Sequence, residues 1–169
     1  KNYKFREGRP EDCISLCTGI EYIENLDGYE EEVEQINKFL SQILPKPEIR
    51  EYVLRLLAST LSGKTGNEHF NLWAGEGGNG KSKILELIQA CMGDYACILP
   101  VSLLTKKRGD AAGANSAIAN TKGKRIAILQ EPDKGSKINV GLMKELTGGD
   151  KISTRKLYKE QFEFKPQFK

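Results

Sequence analysis

One hundred and sixty-nine residues, 38% apolar and 29% charged, suffice for one ordinary domain with its own core, and they exclude a disulfide-stapled miniprotein and a disordered chain. Seventeen glycines and six prolines without period exclude a fibrous repeat. The net charge of +3 is uneven: residues 1–60 carry 8 Lys/Arg against 12 Asp/Glu, 61–100 carry 3 against 4, and 101–169 carry 15 against 7, so the last third is either a solvated basic face or a nucleic-acid surface.

The longest apolar runs, such as Ile126 to Leu129, fall far short of the roughly 20 residues that cross a bilayer. The start, Lys1-Asn2-Tyr3-Lys4-Phe5-Arg6, has no initiator Met, signal core or cleavage site, and reads as a piece of a longer, unsecreted chain. Cys13, Cys17, Cys91 and Cys97 fit no disulfide framework and read as reduced thiols, and with no CxxC or HxxxH partner Cys13 and Cys17 read as small buried hydrophobes rather than half a metal site.

In chain order, Lys1 to Asp27 mixes charge and glycine with little periodicity and reads as short strands and turns, or as the tail of an upstream domain. Val33, Ile36, Phe39, Leu40, Ile43 and Leu44 are spaced for a helix over 30–44, with glutamates in its first turn and Pro45 and Pro47 beyond its end. A second helix over 48–61 places Tyr52, Val53, Leu56, Leu57 and Leu61 on one side, and Gly63 closes it. His69 to Ala74 alternates as a strand, in which His69 and Trp73 read as strand and packing residues, and Ser82 to Cys91 is an amphipathic helix stopped by Gly93-Asp94. Ile98 to Leu104 reads as a short strand, Lys106 to Thr121 as a Gly/Ala/Asn-rich loop, and Arg125 to Gln130 as a stronger strand stopped by Pro132. Ile138 to Leu146 is helical up to Gly148-Gly149, and Ile152 to Phe168 suits a β-hairpin turning near Lys159-Glu160-Gln161.

Between the predicted strand and helix lies Gly75-Glu76-Gly77-Gly78-Asn79-Gly80-Lys81-Ser82, which satisfies GxxxxGK[ST] in the context that motif requires. A polyphosphate needs converging N–H donors at close range, and the glycines let the backbone wrap while the following helix presents its positive end. Lys81 then serves the β- and γ-phosphates of ATP, and the Ser82 hydroxyl ligates Mg²⁺. The apolar strand about fifty residues on ends at Glu131, the candidate for orienting the attacking water and for helping to hold Mg²⁺, in part through water. A second acid usually precedes it; here that position is Gln130, a weaker magnesium ligand, and Asp133 reads as a polar loop residue.

With both motifs placed, the chain resembles the superfamily 3 helicases, and within them the poxvirus-type primase-helicases of large DNA viruses, phages and plasmids. The residues that carry the resemblance are Gly75 to Ser82, the Lys124-Arg125 strand with Glu131, the block Lys144 to Arg155, Leu157-Tyr158-Lys159 and Phe164-Lys165-Pro166; Gly8 to Asp12 and the helical pair add a weaker likeness upstream. It implies a three-layer α/β P-loop NTPase core, AAA+-like with a mainly parallel sheet, over 65–169, after a helicase-associated, mostly helical segment over 1–64. It also implies a homo-oligomeric ring, hexameric by the resemblance, that pulls single-stranded DNA through its channel in the cytoplasm or at a host-cell replication site. The DNA-contacting hairpin maps to Ile152 to Phe164, where Arg155, Lys156 and Lys159 supply phosphate-binding charge and Tyr158 a stacking face; the bland alternative buries Tyr158 in the core. In this family the next strand carries a sensor asparagine and later an arginine finger. Asn115, Asn120 and Asn139 stand in the wrong context to replace the asparagine, so the stretch to Lys169 is expected to bind nucleotide and hydrolyse it poorly. Two other readings stay open: a DNA-packaging or other P-loop motor, and a non-hydrolysing nucleotide-binding assembly module.

Overall fold

The computed structural model describes residues 6–105, 115–132 and 134–169. Asp133 and most of the Gly/Ala/Asn-rich stretch lie outside them. The described chain is mixed α/β, with a two-stranded parallel sheet, a two-stranded antiparallel sheet, and helices.

The first segment forms no strand among its described residues, only one turn of 3₁₀ helix at Pro10–Asp12. The guanidinium of Arg6 beside Asp12, with the Arg9 N–H, holds that carboxyl below the usual range. Helix α1 spans Glu30–Ile43 and helix α2 Pro47–Thr60, as the periodicity predicts to within a residue. Glu30 opens α1 with its carboxyl held low by its own N–H and that of Gly28, and Pro47 begins α2 where no N–H is required. Their apolar stripes are only partly covered: Leu40 and Val53 are buried, while Tyr52 and Leu61 stand exposed.

Helix α3, Lys81–Met92, follows the glycine loop and buries Ile84 and Met92. Strand β1, Ala96–Leu99, then runs parallel to β2, Ile126–Leu129, in the register Ala96↔Ile126 to Leu99↔Leu129. The strand expected over 98–104 is thus shorter and starts earlier. Pro100 cannot continue a ladder, and its carbonyl accepts from the Leu103 N–H (2.9 Å) as the chain coils into helix α4, Ser102–Thr105. Helix α5, Ser116–Ala119, lies where only loop is expected, capped by Asn115 Oδ1 on the Ile118 N–H (3.1 Å). Helix α6, Val140–Thr147, is capped in the same way by Asn139 on Leu142 (3.1 Å).

Strands β3, Ile152–Thr154, and β4, Phe162–Phe164, pair antiparallel with Ile152 opposite Phe164. The turn closes at Lys156–Lys159, where the Lys159 N–H reaches the Lys156 carbonyl (3.1 Å), three residues earlier than expected. Beyond β4, Lys169 docks along β2: its N–H donates to Arg125 O (3.0 Å) and its carbonyl accepts from Ala127 N–H (2.9 Å), the pattern of a parallel neighbour.

The main core joins Leu104, Ile118, Leu142, Leu146, Ile152, Phe164 and Phe168, so α4, α5 and α6 pack on the hairpin base. One expectation fails outright. His69–Ala74 makes no ladder; both it and Ile126–Leu129 line a cavity of about 1350 Å3. Among the described residues the parallel sheet has two strands, a mixed α/β arrangement.

Candidate functional site

The glycine loop turns at Gly77–Gly78 and delivers the chain into α3 through Gly80, whose φ of +84° favours glycine. A Cβ there would also lie 2.6 Å from Ile43 of α1, so the end of α1 buttresses the loop. Ile43 reads in the sequence as one more residue of a helix stripe, and nothing in its spacing names Gly80 as its neighbour.

Lys81 folds back into the loop. Its Nζ donates to Gly75 O (3.1 Å), Glu76 O (3.0 Å) and Asn79 Oδ1 (2.8 Å). All three acceptors are neutral, and an anionic phosphate oxygen is the stronger acceptor for an ammonium, so the donor set fits a polyphosphate. Ser82 is the second residue of α3, in the first turn, where helix N–H groups lack intrahelical partners.

The carboxyl end of β2 reaches the same place. Gly75, Lys81 and Ser82 line the large cavity together with Gln130 and Glu131, and both of the latter are exposed. Loop and strand end, fifty residues apart in sequence, thus line one cavity. Hydroxyl and carboxylate oxygens on one cavity suit a hard cation such as Mg²⁺, and the neutral Gln130 beside them limits the charge available. His69, Trp73 and Arg55 also line this cavity; Arg55 pairs with Glu51 one turn earlier on α2.

The basic tip lies at the end of the hairpin. Arg155, Lys156, Tyr158 and Lys159 are all exposed, and Tyr158 is 97% exposed with φ +58°, which overturns the alternative that buries it in the core. Thr154 Oγ1 donates to Asn115 O (3.2 Å) and the Asn115 N–H to Arg155 O (3.1 Å), so the hairpin is anchored to α5. Asn115 and Asn139 are helix caps, as their position outside the sheet suggests. Two cysteines depart from expectation: Cys13 and Cys17 are exposed, because the first segment is open to solvent, and Cys91 is exposed on α3. Among the described residues no group of three or more His, Cys, Asp or Glu could hold a metal, and no helix is long and apolar enough to cross a membrane.

Glycine loop, helix and neighbouring parallel strand sharing one cavity describe a class of α/β chain. Within it, this chain is homologous to proteins of large DNA viruses named as helicases or primases. It is 47% identical over 165 residues to "Putative helicase L207/L206" of Acanthamoeba polyphaga mimivirus, covering 98% of this chain and 17% of that protein. It is 32% identical over 149 residues to "Putative helicase 022R" of Frog virus 3, covering 86% and 15%. It is 30% identical over 126 residues to "Putative primase C962R" of African swine fever virus, covering 74% and 13%. The chain therefore spans less than a fifth of the length of these relatives. No protein-family profile matches it.

Proposed function

We propose that this chain is the nucleotide-binding part of an ATP-dependent replicative DNA helicase of the superfamily 3 type, working as a homo-oligomeric ring. The observation that carries the reading is the shared cavity of Gly75, Lys81 and Ser82 with Gln130 and Glu131. In this reading Gly75 to Ser82 hold the phosphates of ATP through backbone N–H groups, and Lys81 exchanges its three neutral partners for phosphate oxygens. Ser82 and Glu131 hold Mg²⁺, which when bound neutralises charge on the β- and γ-phosphates. Glu131 orients water toward the γ-phosphorus, giving ADP and inorganic phosphate. Arg155, Lys156 and Lys159 grip the backbone of single-stranded DNA while Tyr158 stacks on a base. The viral homologues named as helicases support this assignment.

A second reading, a nucleotide-binding module without turnover, is favoured by Gln130 standing where an acid usually precedes the catalytic one.

The test is Mg²⁺-ATP binding and steady-state hydrolysis with and without single-stranded DNA. Lys81→Ala is expected to weaken ATP binding by about thirtyfold or more, the loss of charge-assisted hydrogen bonds. Glu131→Gln is expected to keep binding and lose turnover. Unchanged binding in Lys81→Ala refutes the loop assignment, and Lys81-dependent binding without DNA-stimulated turnover gives the second reading precedence.

A further inference from the structure

We propose that Leu16–Thr18 is a strap that sets the spacing between α3 and β2, with Asp94 and Tyr95 as its positioning residues. The inference rests on the nucleotide reading only for its consequence on turnover. Helix α3 carries Lys81 and Ser82 at its start, and β2 leads to Glu131 at its end. Their far ends meet at the corner Gly93–Tyr95: the Arg125 N–H donates to Tyr95 O (2.8 Å), Lys124 Nζ donates to Asp94 O, and the Arg125 guanidinium lies over the Tyr95 ring.

The strap crosses the outside of this corner. The Asp94 N–H donates to Cys17 O (2.9 Å), the Cys17 N–H returns to Asp94 Oδ2 (3.2 Å), and Tyr95 Oη donates to Leu16 O (3.0 Å). Backbone meets backbone, since a Cβ on Gly93 would lie 2.1 Å from Thr18 O. Leu16 also reaches the lead-in to β2, its Cδ1 lying 3.2 Å from where a Gly123 Cβ would stand. One short segment thus touches the end of α3 and the approach to β2 together. The 12 residues of α3 make a lever of about 18 Å, so a rotation of about 10° at this corner moves its Lys81 end by about 3 Å. Displacements of that size at a reacting centre are costly.

The test uses the 169-residue chain with its four cysteines replaced by serine or alanine and spin labels at Lys83→Cys and Lys134→Cys. In Asp94→Ala/Tyr95→Phe, hydrogen exchange at amide 17 is expected to speed up about tenfold, the loss of about one net hydrogen bond. The label separation is expected to shift or broaden by about 3 Å. Asp94→Asn, which keeps an acceptor for the amide, restores both, and Tyr95→Phe alone keeps the ring beneath Arg125. An amide that loses protection while the label separation stays fixed overturns the proposal, as does an amide that keeps its protection. Turnover by the strap variant is expected to fall and KM for ATP to rise, because Lys81 and Ser82 move with the end of α3. If Lys81→Ala leaves ATP binding unchanged the nucleotide reading fails, and the label distance still decides the strap.

Discussion

The four thiols differ by burial. Cys13, Cys17 and Cys91 are exposed, whereas Cys97 is half-buried on β1, and burial pushes its thiol pKa up against a smaller opposing pull from Lys124. A raised pKa leaves less thiolate at any pH below it, so at pH 8 an alkylating reagent is expected to modify Cys97 about tenfold or more slowly than the other three. Peptide mass spectrometry over a time course measures this, and equal rates would contradict the burial. The same scale explains Lys81. The motif GxxxxGK[ST] places a lysine at the loop in any reading of the sequence, but its hold on Gly75, Glu76 and Asn79 depends on the loop's path.

Elements were legible where periodicity and punctuation agreed. The helices α1, α2 and α3 fall where apolar spacing, prolines and Gly93 place them, because helix formation is a local matter of propensity and caps. Strands depend on partners. His69–Ala74 alternates as a strand should and yet makes no ladder, and the fate of 98–104 turned on Pro100. The hairpin divides into a buried base and an exposed tip, which separates two mutational effects. Ile152 is fully buried, so Ile152→Ala is expected to cost about 2–5 kcal/mol, read as a lower denaturant midpoint. Lys156→Ala with Lys159→Ala lies on exposed turn and should leave that midpoint within about 0.5 kcal/mol. The same double change is expected to weaken single-stranded DNA binding and lower the slope of log K against log salt by about 1.4, two phosphate contacts at 0.7 each, in a titration across ionic strength. No change in slope would return the tip to a purely structural role.

At the scale of the molecule, the core gathers around the hairpin base and helices α4, α5 and α6, while the strap holds the opposite end of α3 to the start of β2. The basic excess after residue 100 includes the hairpin tip, and the acidic first third includes the exposed start of α1. The sequence by itself determined the boundaries of α1, α2 and α3 to within about a residue, the glycine loop with Lys81 and Ser82, the acid at Glu131 and the basic character of the last third, since each is written in contiguous residues or in one period. Tertiary structure alone decided that Glu131 shares a cavity with Lys81, that Ile43 rests on Gly80, that Leu16 to Thr18 cross Gly93, and that Tyr158 stands clear of the core. Those contacts join residues some tens of positions apart, and their free energy comes from packing and from backbone groups finding partners, neither of which leaves a periodic trace in the chain.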